Sequence, residues 1–242
     1  MNRKFDYGKW KAKLLSAPSY YDVFHKYVSD EKALLLHINS HTFWSGNESG
    51  DIFQGKVNEL SEDIRKLITD HFSNELTRTL RMFSKQLIVV AASYVEGMIN
   101  EFFQSLFHKH PERMYSYLGQ NTKSSTGCIP FKLVLESTDK EKLIYKVVNH
   151  ACVVASSGKM QSKLKRIEQL GKKELDSDLK EELERLIRLR NEIVHEQYEP
   201  QIEKRDVSAA FEVADKLLDS CSVILLKNKV PVDDPTGKLN ID

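Results

Sequence analysis

Apolar residues recur every three or four positions along most of the chain, a period that predicts a largely helical protein. The longest run keeps this rhythm from Ser73 to Leu106, over about nine turns. Its middle, from Leu87 to Val95, is apolar on nearly every side, which predicts the central helix of a bundle, covered from several directions. Small residues near this segment, Ala91 to Ser93 and Gly97, are expected to let a second helix approach closely.

The region before this helix is predicted to be helical with one loop. From Trp10 to Ile38 the apolar residues share one face, with an interruption at Pro18. The following stretch from Asn39 to Gly55 is rich in Gly, Ser and Asn and is predicted to be an exposed loop. A second helical region opens at Ser61.

The region after Pro111 is predicted to contain four further helices and one loop. The loop covers Asn121 to Gly127, and the IPFKLVLE stretch after it fits either a strand or a short helix. Helices are predicted at Leu143–Val154, at Leu164–Leu170 with Gly171 as its end, at Asp178–Tyr198, and from Asp206 as N-cap toward Asn228.

These patterns predict an all-α protein, a helical bundle with an N-terminal helical extension. Residues 1–60 are predicted to be a helical segment and loop packed on the bundle, and residues 61–228 the bundle itself. Residues 229–242 contain prolines and no amphipathic pattern, so we predict a flexible tail.

Composition narrows the class of protein. The 242 residues are 40% hydrophobic and 29% charged, as in soluble globular proteins, which excludes collagen-like and wholly disordered chains. No stretch reaches about 18 uncharged apolar residues and the N-terminus lacks a signal-length apolar core, so we expect no membrane association and a cytoplasmic location. The formal charge is only +1, so an anionic partner must be held by a local basic patch.

The clearest basic patch is the segment from Lys159 to Lys173, which contains six basic residues and one acidic residue. Such a run is either a solvated helix face or a track for phosphates. If the run is a phosphate track, the residues that we predict to bind a nucleic-acid backbone are Lys163, Lys165, Arg166, Lys172 and Lys173.

Other chemistry is sparsely represented. The three cysteines, Cys128, Cys152 and Cys221, are odd in number and widely spaced, which favours core thiols over disulfides or a zinc cluster. His37 and His41 are spaced like metal ligands, but no carboxylate follows them usefully, and two ordinary histidines are the other interpretation. We predict no metal site and no cofactor.

One helix carries an unusual polar group. At 100° per residue, Arg190 falls between Leu179 and Leu183, in the middle of the apolar stripe of the helix that begins at Asp178. A guanidinium stays charged at ordinary pH, so a core position predicts an anionic partner, either a carboxylate or a phosphate. Asn191 and His195 lie one turn apart at the edge of this stripe and are predicted to face a shared cleft. Arginine suits phosphoryl oxygens and histidine moves protons near neutral pH, which together indicate phosphodiester chemistry.

The Arg190-Asn191-x-x-x-His195 sequence resembles the signature of the HEPN superfamily, an Arg followed after four to six residues by a His, often with a polar residue directly after the Arg. The resemblance is to the RiboL-PSP branch and covers roughly Ser73 to Leu226, including the ASYVEG segment with Glu96 in the long apolar helix. Arg65 with His71 and Arg188 with His195 match the bare spacing by chance, and only Arg190 is followed by Asn at the four-residue spacing.

The resemblance implies a metal-independent endoribonuclease that works as a homodimer. His195 is then expected to serve as base and acid, Arg190 to stabilise the transition state, and Asn191 to orient His195 or bind a phosphate oxygen. The products are expected to be a 2',3'-cyclic phosphate and a 5'-OH. Glu96 is expected to support the site by pairing with Arg190 when RNA is absent. A toxin or antiviral setting with an antitoxin, ATPase or sensor partner is expected.

Less specific interpretations remain beside this one. Arg190 and Glu96 fit a buried ion pair without catalytic meaning, and His195 fits an ordinary surface histidine. The alternative function is a catalytically silent HEPN module that dimerises or docks a partner protein through the Leu87 to Gly97 helix. In HEPN toxins paired with nucleotidyltransferase antitoxins a Tyr lies two residues after the His, whereas here Gln197 occupies that place and Tyr198 follows it. Control by tyrosine modification is therefore not expected.

Overall fold

The computed structural model describes residues 3–46, 52–118, 139–195, 200–235, 237 and 239 of the chain. Within these residues the protein forms eight α-helices and one β-hairpin. The elements are α1 (Tyr7–Val28), α2 (Glu31–Ser40), β1 (Thr42–Gly46), β2 (Ile52–Lys56), α3 (Glu62–Lys109), α4 (Tyr115–Leu118), α5 (Lys140–Ala155), α6 (Met160–Gly171), α7 (Ser177–His195) and α8 (Lys204–Lys227). The predicted all-α fold is confirmed.

The described residues belong to two compact units. Unit 1 contains residues 1–15, 88–200 and 208–242, and unit 2 contains residues 16–87 and 201–207. Helix α3 is continuous and contributes residues to both units. The 48-residue α3 joins the region predicted to open at Ser61 with the long apolar helix predicted from Ser73.

The second half of α3 lies in the core of unit 1, as its all-round apolar pattern predicted. Its fully buried residues include Ile88, Ala91, Val95, Met98, Ile99, Phe102, Phe103 and Leu106. At Gly97 a Cβ atom would lie 2.6 Å from Cη2 of Trp10, so only glycine admits the indole of α1 at this distance. The predicted close approach of another helix is therefore confirmed, and α1 is that helix.

A buried carboxylate fastens the start of α1 to α3 within unit 1. Glu101, only 8% exposed, accepts hydrogen bonds from the Asp6 backbone N–H, from Lys9 Nζ and from Trp10 Nε1, each at 2.9 Å. A buried carboxylate is tolerated when its oxygens are fully hydrogen-bonded and a cation is near. The apolar periodicity does not predict this anchor, because it rests on polar contacts between distant residues.

Residues 230–233, which belong to the predicted flexible tail, make regular backbone hydrogen bonds. Phe5 N–H donates to Pro231 O at 3.0 Å and Asp233 N–H donates to Phe5 O at 2.8 Å, forming a parallel bridge between residues 5 and 232. Val230 is buried. The prediction was wrong for residues 230–233, because their backbone pairs with a distant part of the chain and needs no amphipathic pattern.

Helix α6 ends at Gly171, as predicted, and the C-cap after it is Lys172 in the left-handed conformation, with φ 53°. A Cβ atom on Gly171 would clash with Cγ2 of Ile224 in α8, so the glycine also allows α6 and α8 to pack closely. The start of α8 differs from the prediction, because the helix begins at Lys204 and Asp206 accepts the Glu203 N–H from inside the first turn.

Unit 2 departs twice from the prediction. Helix α1 continues through Pro18, since a proline removes one backbone hydrogen bond without ending every helix, and the break comes where Asp30 caps α2. The predicted loop from Asn39 to Gly55 contains the antiparallel hairpin, whose register runs from Thr42 opposite Lys56 to Gly46 opposite Ile52. Aromatic and β-branched residues beside an Asn- and Gly-containing turn favour a hairpin, a signal that the polar turn residues obscured.

A small apolar cluster lies at the centre of unit 2. Leu34, Ile38 and Val57 are its buried members, and Ile68, Phe72 and Leu76 of α3 pack against them. In the part of the chain that the structure describes, no helix is long and apolar enough to cross a bilayer. The predicted loop at residues 121–127 and the stretch after it lie outside the described residues.

Candidate active site

Helix α7 holds the signature residues and begins at a strong cap. Asp176 Oδ1 accepts the backbone N–H groups of Asp178 at 2.9 Å and Leu179 at 3.1 Å, which satisfies donors that the first turn leaves unpaired. Leu179, Leu183 and Leu186 then lie buried on one face of the helix. These contacts fix the rotation of α7 and hence the directions in which its polar residues point.

The apolar stripe does not stay buried to the end of α7. Val194 is 46% exposed and Arg190 is half-buried, so the predicted core position of the guanidinium is only partly correct. A partly exposed guanidinium keeps contact with water, and it needs no buried anion.

Arg190 is hydrogen-bonded to its own neighbour. Its Nη1 donates to Oδ1 of Asn191 over 2.9 Å. The predicted partner, Glu96, instead accepts a hydrogen bond from Lys163 Nζ at 3.1 Å. The predicted ion pair between Arg190 and Glu96 was therefore wrong: α6 brings a lysine to the carboxylate on α3.

Asn191 and His195 line one open groove, with a volume of about 770 Å³. The prediction that these two side chains share a cleft is confirmed. Both are exposed, so solutes reach them directly. The groove lies between α7 and the start of α6, and its lining consists of Lys159, Met160, Gln161, Glu184, Ile187, Arg188, Asn191, Glu192 and His195.

The groove carries both signs of charge. Lys159 and Arg188 supply cations, and Glu184 and Glu192 supply carboxylates. Arg190 is not among the lining residues, and it reaches the groove through its bond to Asn191. Sequence reasoning dismissed Arg188 and did not consider the two glutamates. The signal that identifies them is their spacing from Asn191 and His195, which places all five on one helix face.

A second cavity of about 400 Å³ lies farther along the same two helices and shares Gln161 and Glu184 with the groove. Its main polar feature is a bonded pair, in which Lys180 Nζ donates to Glu168 Oε1 at 2.9 Å. Burial raises the pKa of Glu168, but the Leu175 N–H and Lys180 lower it more, so the carboxyl pKa lies below its usual value. At this end of the α6–α7 surface the charges of Lys180 and Glu168 therefore pair with each other.

The predicted basic patch divides into two parts. Lys163 is bonded to Glu96 with only 11% of its side chain exposed, and Arg166 Nη1 donates to the carbonyl oxygens of Ala155 and Ser157 at 2.9 and 2.6 Å. These two cations therefore make hydrogen bonds within the protein and stabilise its fold. Lys165, Lys172 and Lys173 are exposed, and they remain candidates for contact with phosphate.

The remaining candidate groups do not join this site. Burial raises the pKa of the Cys152 and Cys221 thiols to about 12, as expected of core thiols, whereas Cys128 lies outside the described residues. The rings of His37 and His41 contact each other in unit 2, with centroids 4.6 Å apart. Among the described side chains, no three His, Cys, Asp or Glu residues gather as a metal site. Gln197 and Tyr198 also lie outside the described residues.

Comparison with known families gives one match. The model of the family described as RiboL-PSP-HEPN matches residues 51–226, a range that contains α3, α5, α6, α7 and nearly all of α8. No curated protein and no solved structure matches the chain. The matched range includes every residue of the groove.

Proposed function

The chain belongs to the RiboL-PSP-HEPN family, and from this membership and the groove on α7 we propose that the protein is a metal-independent endoribonuclease. The observation that carries the proposal is the placement of His195 and Asn191 in one solvent-open groove, with Arg190 bonded to Asn191. The three side chains lie within one and a half turns of helix. His195 can transfer a proton, and Asn191 and Arg190 can donate to phosphate oxygens, which suits a nucleophilic attack on phosphorus.

The proposed reaction uses the RNA as its own nucleophile. His195 accepts the proton of a ribose 2'-OH, whose oxygen bonds to the adjacent phosphorus while the bond from phosphorus to the 5'-oxygen breaks. A proton delivered to the departing 5'-oxygen completes the step. The products are a 2',3'-cyclic phosphate and a 5'-OH, and no water or metal is consumed.

Two chains supply the two proton-transfer groups. A homodimer brings the α7 helices together, so that one His195 acts as base and the dimer-related His195 acts as acid. Exposure of His195 at the C-terminal end of α7 leaves it accessible to a second copy. In this arrangement each chain alone is inactive, which suits an enzyme that is restrained until a trigger assembles it.

Arg190 and Asn191 act on the charge of the phosphate. Because Oδ1 of Asn191 accepts from Arg190, the amide hydrogens on its Nδ2 are the ones left to donate to a phosphate oxygen or to His195. The same hydrogen bond links the guanidinium to the groove through Asn191, and from there its positive charge stabilises the charge that builds on the transition state. The exposed Lys165, Lys172 and Lys173 extend this positive surface for RNA.

The setting that we propose is a toxin or antiviral effector whose partner, an antitoxin, ATPase or sensor protein, controls when cleavage occurs. The competing function is a silent module that docks a protein partner. Glu184 and Glu192 in the groove favour that alternative, since carboxylates repel RNA phosphates. The two functions predict opposite results when RNA is added.

The proposal is tested by RNA cleavage with matched controls. Purified wild-type protein, Arg190→Ala and His195→Ala are incubated with mixed single-stranded RNA, beside Arg65→Ala and His71→Ala. The control pair has a similar Arg-to-His spacing in unit 2 and lies outside the groove. We expect cleavage to fall by about a hundredfold or more in the first pair and to stay unchanged in the second. Equal effects in both pairs would remove Arg190 and His195 from the mechanism, and no cleavage by wild-type protein would favour the docking module.

A further inference from the structure

Helical geometry separates the two arginines near the groove. Arg188 lies seven residues before His195, and seven steps of 100° return it to within about 20° of the histidine. Arg190 lies five residues before His195, which turns it about 140° away. The lining of the groove agrees with this difference, because it includes Arg188 and omits Arg190.

Arg188 is also the more accessible of the two. Its side chain is exposed, whereas Arg190 is half-buried and donates to Asn191. Arg188 lies about 10 Å from His195 along the helix axis, at two turns of rise. A single RNA strand following α7 therefore meets both residues through different phosphates.

The opposite wall of the groove favours the same ligand. It is formed by Lys159, Met160 and Gln161 at the start of the 12-residue α6, so a second cation faces the Arg188 side. The N-cap residue Lys159 makes no side-chain hydrogen bond to this helix start, whose backbone N–H groups carry partial positive charge. An anion in the groove would therefore lie between positive groups of α6 and of α7.

Two carboxylates reduce the area of the groove that is positively charged. Glu184 and Glu192 lie four residues before and four after Arg188, on the same helix face. They restrict the positive region to the strip between Lys159 and Arg188. The groove therefore fits a single strand with separated phosphates better than a wide duplex track.

We propose that Arg188 is a substrate-binding residue of the groove, which holds a phosphate of single-stranded RNA two helical turns from His195. This inference rests on the proposed function, since it assigns a role in binding the same substrate. Arg188 acts on the ground state and Arg190 on the transition state. Loss of Arg188 should raise KM and leave kcat nearly unchanged, whereas loss of Arg190 should lower kcat.

The test combines cleavage with binding. Wild-type protein, Arg188→Ala, Arg188→Lys and the control Arg205→Ala are compared on a fluorescent single-stranded oligoribonucleotide. Arg205 is an exposed arginine of unit 2, paired with Glu203, so its loss changes the net charge equally. Binding is measured with the 2'-O-methyl form of the same strand, which lacks the nucleophile and stays intact.

For Arg188→Ala we expect KM and the dissociation constant to rise about tenfold, as for loss of one charged hydrogen bond. The slope of binding against salt should decrease by about 0.7, the value for one phosphate contact on a single strand. Arg188→Lys should recover part of the affinity, and Arg205→Ala should match wild type.

The outcomes separate this inference from the proposed function. If wild type cleaves RNA and Arg188→Ala matches it in KM and salt slope, the role of Arg188 is overturned and the nuclease stands. If wild type binds the strand through Arg188 but does not cleave RNA, the nuclease fails and the binding role stands. Binding that ignores Arg188, or no binding at all, overturns the role of Arg188.

Discussion

Arg190 and Asn191, consecutive residues of α7, are joined side chain to side chain by a hydrogen bond of 2.9 Å from Nη1 to Oδ1. The side chains of consecutive helix residues leave the helix about 100° apart, so Arg190 and Asn191 must turn toward each other to form this hydrogen bond. Asn191 lines the groove and Arg190 does not, so the bond lies at the margin of the groove. The two side chains are therefore coupled: Asn191 contacts the groove, and the positive charge of Arg190 lies next to Asn191 outside the lining.

Removing Asn191 should disable the coupled pair without unfolding the protein. For Asn191→Ala we expect kcat for RNA cleavage to fall by about a hundredfold, as for loss of one transition-state donor. Asn191→Asp should be as inactive, because its carboxylate would pair with Arg190 and repel the phosphate. Since Asn191 is exposed, the free energy of unfolding should stay within about 0.5 kcal/mol of wild type in both variants. Wild-type kcat in Asn191→Ala would remove the amide from the mechanism.

The acidic residues of the groove should weaken RNA binding. We expect Glu192→Gln to tighten binding of single-stranded RNA by about two- to fivefold at low salt, with the gain lost at high salt. The control is Glu212→Gln, which removes an equal charge from an exposed site on α8 outside the groove. Equal affinities in the two variants would show that bound RNA does not lie beside Glu192.

The buried anchor of α1 gives a stability prediction. Glu101→Ala leaves two N–H donors and the Lys9 ammonium without their acceptor, and we expect the free energy of unfolding to fall by about 3 kcal/mol. Glu96→Ala on the same helix removes only the pair with Lys163, whose carboxylate side is 45% exposed, and should cost under about 1 kcal/mol. Denaturant unfolding measures both. Similar losses would mean that the Glu101 bonds are not the source of its stability contribution.

His108 should make the fold sensitive to mild acid. Burial lowers its pKa below 6.5 and Arg3 lowers it further, and its Nε2 has no hydrogen-bond partner among the described residues. The unfolded chain takes up this proton more readily than the folded one, so stability falls as the pH drops through about 6.5. The free energy of unfolding should therefore decrease more between pH 7.5 and 5.5 in wild type than in His108→Gln. Parallel pH profiles would contradict this assignment.

The sequence predicted those features that one helix determines by itself. The period of apolar residues located the buried middle of α3, and the spacing of Asn191 and His195 predicted their common cleft, because both follow from helical geometry. The same geometry also places Arg188 beside them. The motif itself points to Arg190, because only that arginine is followed by Asn at the four-residue spacing.

Features that depend on distant parts of the chain were predicted poorly. The partner of Glu96 is set by where α6 places Lys163 against α3. The pairing of Phe5 with residues 231–233 is a backbone interaction without a side-chain pattern. A single sequence contains no direct signal for either of these contacts.

The central claim is that His195 and its neighbours direct a 2'-OH against the adjacent phosphate, and the ends of the cut RNA report on it directly. Wild-type protein is incubated with a single-stranded oligoribonucleotide in excess chelator, and the fragments are weighed by mass spectrometry. We predict undiminished cutting, with 2',3'-cyclic phosphate and 5'-OH ends that disappear in His195→Ala. Fragments ending in 3'-OH and 5'-phosphate, or cutting that stops in chelator, would contradict the account.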